Sequence, residues 1–364
     1  MEKVRFGIVG VGVMGKIHAN SLLDGKVPDG ILTGVYDIEP KQLEWLKGNK
    51  DVNIFDSMTE MFKSGKIDAV LIATPHYVHP DIAKEAFGCG LHVLVEKPAG
   101  VYTKQVREMN VAAAKAGGVF AIMYNQRTDE LYQKMHDIVC SGKLGTIKRT
   151  NWIVTNWYRS QAYYNTGGWR ATWRGEGGGV LLNQCPHNLD LWQWICGMPC
   201  KITAFCHEGK WHDIEVEDDV TAYVEYPNGA TGVFISSTAD APGTNRFEVT
   251  GDMGKVVLEE GRLRFYRLKI SERQFNKENT EMFGEPDYSK SNIKATGEST
   301  QHVGIMSAFV DKILGRGELY ATGDEGINGL MISNAMHLSS WLGKTVELPL
   351  DEELFLAELR KKCR

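Results

Sequence analysis

A chain of 364 residues outgrows a single hydrophobic core, so two domains are expected. Lys and Arg number 41 against 46 Asp and Glu, a net charge of −5 without a basic run, which argues against nucleic acid or an anionic membrane as partner. The first strand is expected to begin at once, with no signal peptide and no apolar stretch long enough to span a bilayer. Seven scattered cysteines fit a reducing cytoplasm.

The first element, Val4 to Val9, is a short apolar run suited to a strand covered on both faces. It ends in Gly10-Val11-Gly12-Val13-Met14-Gly15 and passes into a segment with helical apolar spacing, Lys16 to Leu23. Gly10 permits the tight turn, Gly12 admits a pyrophosphate close to the backbone, and Gly15 lets the helix approach the strand. The helix N-terminus offers N–H groups and partial positive charge to phosphates. A second apolar run, Ile31 to Tyr36, ends in Asp37, where a carboxylate can accept from the adenosine ribose hydroxyls. Ile38 and Glu39 follow, with no cation for a 2′-phosphate, so NAD is favoured over NADP.

Alternation continues with a strand at Val52–Phe55, a capping box at Ser57 and Glu60, a buried strand at 68–74 stopped by Pro75, and a helix over 77–87. A strand at 92–95 closes with Glu96-Lys97-Pro98, and an Ala-rich helix from Thr103 precedes a sixth strand at 119–123. This rhythm predicts a doubly wound parallel sheet over 1–123, an α/β Rossmann domain. Ligands of such sheets sit beyond the strand carboxyl ends, where Ala73, Thr74, Pro75, His76, Glu96, Lys97, Asn125 and Arg127 fall. With Gly10, Gly12, Val13, Met14, Gly15, Asp37 and His79, all of these except Arg127 form the expected cofactor set.

From 124 to 364 the rhythm changes to an α+β domain for substrate binding and oligomerisation, with a large open, mostly antiparallel sheet and closing helices that can pack back on the Rossmann domain. A helix over about 129–140 precedes a long strand from Thr146 to Tyr158. Hairpins are expected at Pro227-Asn228-Gly229, at 251–254 and at Glu260-Gly261. Residues 271–300 are polar and predict an irregular surface excursion. Three helices end the chain, one with a capping box at Thr322 and Glu325 and one starting at Asp351; its basic end, Lys361 to Arg364, complements a helix C-terminus. Cys196, Cys200, Cys206 and His207 lack zinc spacing and are expected to be buried free thiols, with no metal.

Lys97, fixed by the following Pro98, can donate to a substrate oxygen and stabilise developing negative charge. Glu176-Gly177-Gly178-Gly179 leads to Asn183, Pro186, His187 and Asp190. Pro186 is tolerated only in a first helical turn, so a helix is expected from about Asn183, which then caps it. His187 suits a general base taking a hydroxyl proton, and Asp190 either orients the ring, caps or is solvated.

The Gly10/Gly12/Gly15 turn, Ala73-Thr74-Pro75, Glu96-Lys97-Pro98 and Gly177-Gly178-Gly179 followed by His187 and Asp190 resemble the glucose–fructose oxidoreductase / inositol dehydrogenase / rhizopine-catabolism (Gfo/Idh/MocA) family. The likeness extends through Val346-Glu347-Leu348-Pro349-Leu350. It implies a bound nicotinamide dinucleotide, a homo-oligomer, usually a dimer or tetramer, and catalytic roles for Lys97 and His187. Asn183 stands where many relatives carry aspartate. An amide can hold a hydroxyl but cannot stabilise an imidazolium as a carboxylate would, so Asn183 is assigned to substrate binding.

Four of the nine tryptophans, Trp152, Trp157, Trp169 and Trp173, fall in one short window with Tyr158, Tyr163, Tyr164, Arg159 and Arg170. Aromatic faces suit the C–H faces of a sugar ring, so Tyr158, Arg159, Tyr163, Trp169, Trp173 and Arg127 are candidate substrate contacts. Trp152 divides evenly between the pocket and a place in the core or a subunit interface. The expected substrate is a glucose-like sugar or glycoside, with glucoside 3-dehydrogenases the nearest likeness. Rival readings are an inositol dehydrogenase, an NAD-dependent glycosidase using transient redox, and a dinucleotide-sensing regulator.

Overall fold

The computed structural model describes residues 2–363, which divide into two units: 2–128 with 299–330, and 129–298 with 331–363. Arg364, grouped above with the basic end, lies outside the described residues.

The first unit opens with β1 (Val4–Val9), α1 (Val13–Leu23), β2 (Gly30–Tyr36) and a two-residue β3 (Asn53–Ile54), shorter than expected. Then come α2 (Met58–Lys63), β4 (Ala69–Ile72), α3 (His79–Gly88), β5 (His92–Val95), α4 (Thr103–Ala116) and β6 (Phe120–Ile122). The Ser57 hydroxyl accepts from the Glu60 amide at 3.1 Å, the first half of the capping box. Six strands in the order β3-β2-β1-β4-β5-β6 pair in parallel, and the order reverses beside β1, where doubly wound sheets bind ligands.

The second unit begins with α5 (Glu130–Cys140), β7 (Ile147–Val154), the short α6 (Gln161–Tyr164) and α7 (Pro186–Cys196). It continues through β8 (Lys201–Glu208), β9 (Glu217–Glu225), β10 (Thr231–Ser237), β11 (Asn245–Gly251), β12 (Gly254–Glu259), β13 (Arg262–Leu268), α8 (Glu272–Glu278) and β14 (Tyr288–Ile293). Closing the chain are α9 (Gln301–Ile313), α10 (Gly326–Leu342), β15 (Val346–Glu347) and α11 (Glu352–Lys362). Nine strands in the order β14-β13-β12-β11-β7-β10-β9-β8-β15 form one sheet, antiparallel except where β7 meets β10. All three expected hairpins join consecutive strands. On the covered face Trp152 stacks on Phe247 at 4.2 Å, and Trp192 of α7 stacks on Phe234 at 5.4 Å while its indole donates to Thr150. Trp152 is therefore core.

Four expectations are corrected. The strand from Thr146 stops at Val154, because Thr155 onward follows an irregular path and the Arg159 amide turns to donate to the Thr238 carbonyl. Residues 271–300 contain α8 and the edge strand β14, whose side chains are almost all exposed and so show no alternation. The helix expected from Asn183 starts at Pro186, with Cys185 as its N-cap. Thr322 makes no side-chain cap: the Glu325 amide donates instead to the Thr322 backbone carbonyl at 3.3 Å, and the Glu325 carboxylate pairs with Arg127. Asp351 does cap α11, accepting from the Leu354 amide at 3.0 Å.

The first unit runs to Thr128 and takes in 299–330, the return to the Rossmann domain that the sequence leaves open to the closing helices. There α9 buries Ile305, Met306, Phe309 and Val310 in the core that holds Phe6, Ile8, Leu71 and Leu94. Burying a side chain such as Phe309 stabilises by about 2 kcal/mol.

Candidate active site

In the first unit, Gly10 (φ +87°) makes the turn out of β1, and a Cβ there would meet the Ala73 carbonyl oxygen at 2.7 Å. At Gly15 a Cβ would fall 1.9 Å from the Gly10 carbonyl oxygen, so only glycine lets α1 leave the strand this closely. Gly12 differs: a Cβ there would meet nothing within 4 Å. The chain's own packing does not require that glycine, and the open space, beside an exposed Val13 and half-buried Met14 at the α1 N-terminus, fits a pyrophosphate. One oxygen of Asp37 accepts from the Val11 amide at 2.6 Å and the other from the Glu39 amide at 2.8 Å. The carboxylate is thus held at the end of β2, on the same strand-end side as the glycine turn.

Three further strand ends contribute. Ala73, Thr74 and the exposed Pro75 follow β4, with His76 buried beyond them. Glu96 is buried after β5; its Oε1 lies 2.6 Å from His18 Nε2, and its Oε2 accepts from the Lys97 amide at 3.1 Å. Burial alone would raise the Glu96 pKa. The His18 hydrogen bond, with the charges of His18, Lys97 and His302, outweighs it and brings the carboxyl down to about 2. Lys97 is half-buried and its bond to Pro98 is cis. His79, expected at the cofactor, is 1 % exposed, with Nδ1 2.9 Å from the Pro98 carbonyl and Nε2 2.7 Å from the Thr74 carbonyl. Burial pushes its pKa down against those two contacts, so the neutral ring donates to one carbonyl at a time. It braces two strand-end loops from beneath. Asn125 donates to the Gln301 side chain at 2.5 Å, and Arg127, 2 % exposed, donates to the Tyr320 carbonyl and the Glu325 carboxylate. Both tie the turn after β6 to the return segment, which leaves Arg127 committed within its unit.

In the second unit, Gly179 sits where a Cβ would fall 1.9 Å from the Glu217 carbonyl oxygen. The fully buried Glu217 side chain accepts from the Gly179 and Leu181 amides at 2.9 and 3.0 Å, and His337 Nε2 lies 3.0 Å from it. Burial alone would raise the Glu217 pKa, but the His337 charge and these donors hold it low. The glycine run is thereby pinned ahead of α7. His187 occupies the first turn of α7, 8 % exposed; Asp190, fully buried, accepts from Gln193 at 3.1 Å and is not solvated. Asn183 sits in the preceding turn, half-buried. Its Nδ2 donates to Glu176 Oε1, while Tyr163 Oη and Gln184 Nε2 approach its Oδ1 at 3.4 and 3.3 Å. Arg170 donates to Tyr163 Oη at 2.8 Å and its guanidinium lies over the Tyr163 and Trp169 rings, each at 4.7 Å. Arg159 lies over Tyr163 at 5.0 Å, and Tyr158 is exposed. Trp173, also expected to meet substrate, is 2 % exposed and packs edge-on against His337 and Trp341. It is core.

Sequence reasoning missed His18, Glu176, Gln184, Glu217 and His337. Only His18 had a local signal: Gly15, His18, Ala19 and Leu22 share the buried face of α1, so its ring had to point at the sheet. Cys196, Cys200 and Cys206 are free and half-buried, less enclosed than expected. Among the described residues no group of three His, Cys, Asp or Glu could hold a metal, and no helix is long and apolar enough to cross a membrane.

Comparison with known proteins matches residues 4–124 to the oxidoreductase family with an NAD-binding Rossmann fold, GFO/IDH/MocA, and residues 132–257 to the GFO/IDH/MocA C-terminal domain. A 1,5-anhydro-D-fructose reductase from Ensifer adhaerens is 26% identical over 80% of this chain and 83% of its own. The D-glucoside 3-dehydrogenase of Escherichia coli K12 is 25% identical over 95% of this chain and 97% of its own. The crystal structure of the WlbA dehydrogenase from Bordetella pertussis, in complex with NADH and UDP-GlcNAcA, superposes with a TM-score of 0.82 at 25% identity, covering 96% of this chain and 99% of that one.

Proposed function

This chain belongs to the GFO/IDH/MocA family of NAD-dependent oxidoreductases, and from that premise we propose that it oxidises a secondary ring hydroxyl, the 3-hydroxyl, of a glucose-like sugar or glucoside. Bound NAD would accept the hydride from the carbinol carbon. Lys97 donates to the hydroxyl oxygen and stabilises the negative charge that develops there, and His187 takes the hydroxyl proton. The C–H electron pair leaves with the hydride, the O–H bond is broken, and the carbon becomes a ketone. Gly10, Gly12 and Gly15 admit the pyrophosphate, Asp37 receives the adenosine ribose, and the Glu96 turn holds Lys97 in place. Tyr163, Trp169, Arg159 and Asn183 bind the sugar, with Tyr158 at the exposed margin.

The observation that carries the sugar reading is the surface around Tyr163. Half-buried Tyr163 and Trp169 there carry the Arg159 and Arg170 guanidinium groups over their rings, with Asn183 and Gln184 beside the Tyr163 hydroxyl, a cluster of planar and hydrogen-bonding groups suited to a polyhydroxylated ring. The relatives named for sugar substrates support the same class. The test is product analysis after incubation with NAD and a simple glucoside, using wild type, K97A and H187A. A 3-keto product is expected from wild type, with turnover by each variant down at least ~1,000-fold and NAD binding within ~3-fold. Oxidation at another carbon, or retained activity in both variants, contradicts the assignment.

A further inference from the structure

We propose that Glu176 is a positioning residue that locks the Asn183 amide so that its carbonyl oxygen serves as the hydrogen-bond acceptor for a substrate hydroxyl. This deepens the sugar-oxidation reading and rests on it. Glu176 is 1 % exposed and carries two N–H donors, the Ala171 amide on Oε2 at 2.7 Å and Asn183 Nδ2 on Oε1, with Arg170 3.6 Å from Oε1. Burial raises the Glu176 pKa while the Ala171 amide, Asn183 and the Arg170 charge oppose that rise, and both side-chain oxygens serve as acceptors in this arrangement. The Asn183 NH₂ group is therefore held toward Glu176, and Oδ1 is turned toward the hydroxyl of Tyr163 and the amide of Gln184. Those two contacts, at 3.4 and 3.3 Å, are long enough for a substrate hydroxyl to replace.

The same geometry explains the residue type at 183. An aspartate there would set a second carboxylate against a buried first one, with the buried Glu217 charge also acting on Glu176. Asparagine keeps an acceptor facing the sugar and gives the buried carboxylate a donor. Residues 176 and 183 form a matched pair in which one charge is shared between two positions.

The experiment is a double-mutant cycle of E176Q, N183D and E176Q/N183D, read by sugar KM, kcat and thermal midpoint. E176Q frees the amide to turn over, and KM is expected to rise about 5- to 10-fold with kcat within ~2-fold, the worth of one oriented hydrogen bond. N183D places like charges together and is expected to lower kcat/KM about 100-fold. In the double variant the amide introduced at position 176 donates to the carboxylate introduced at 183, so kcat/KM recovers at least ~10-fold over N183D, with positive coupling in the thermal midpoint. Additive effects, or an E176Q KM equal to wild type, overturn the proposal. If E176Q alone does not fold, a folded and active double variant supports the pair, and an equally unfolded one overturns it. If the wild type turns over no sugar, the functional reading fails, while the thermal cycle still decides for or against the pairing.

Discussion

Asp37 carries a structural role beside the ribose-binding role proposed for it, and the two are separable by measurement. Its Oδ2 satisfies the Val11 amide in the glycine turn, and the ribose hydroxyls need the remaining acceptor capacity of the same carboxylate. D37A is expected to weaken NAD binding about 10-fold or more, read by fluorescence titration, and to cost about 1–3 kcal/mol of stability from the orphaned N–H. A loss of stability without loss of NAD affinity would leave Asp37 a turn residue only. Glu96 gives the chain an acid limb. Its folded pKa of about 2 lies below the ordinary 4.5, so the stabilisation is complete above the ordinary value and is lost as pH falls toward the folded one. The shift corresponds to a contribution on the order of 3 kcal/mol. E96Q is therefore expected to flatten the fall in thermal midpoint between about pH 5 and pH 3. An unchanged slope would show that the His18 pair contributes nothing to acid sensitivity. Glu96 and His18 are 78 residues apart, as Glu217 and His337 are distant in sequence, so neither pairing was legible from local pattern.

The elements that sequence displayed best are those whose burial follows a period. β4 is buried at every position, as its apolar run predicts, and α4 ends on Gly117 in the left-handed conformation, as glycines 117 and 118 after the Ala-rich segment predict. β14 shows the converse: Tyr288-Ser-Lys-Ser-Asn-Ile293 pairs only with β13 at the sheet edge, is exposed on both faces, and so carries no alternation to detect. The start of α7 was misplaced because Asn183 has the chemistry of a cap, yet its amide serves Glu176, a partner that spacing alone does not reveal. Arg127 followed the rule that strand ends bind ligands, and instead ties the turn after β6 to the 3₁₀ turn before α10. R127M is expected to lower stability by about 2 kcal/mol with sugar KM unchanged within ~2-fold. A raised KM at unchanged thermal midpoint would return Arg127 to the sugar.

At the scale of the whole molecule, the alternation of strands and helices followed by hairpins made the Rossmann sheet and the mostly antiparallel sheet legible together. The sequence leaves open which closing helix returns to the Rossmann domain; α9 does, and supplies part of the first unit's core through Phe309, whose ring meets Phe6 at 6.0 Å. Such a return is set by long-range burial and leaves no local mark. The residues proposed for the reaction are likewise spread along the chain, the cofactor turn and Lys97 in the first unit and His187 and the aromatic surface in the second. The central claim, that these parts oxidise a sugar hydroxyl with NAD, is tested most directly by following nicotinamide absorbance as wild-type protein with NAD is titrated with a panel of glucosides and inositols. Saturable NADH formation with at least one glucoside, and weaker or none with inositols, is the predicted result. No NADH with any sugar would contradict the account.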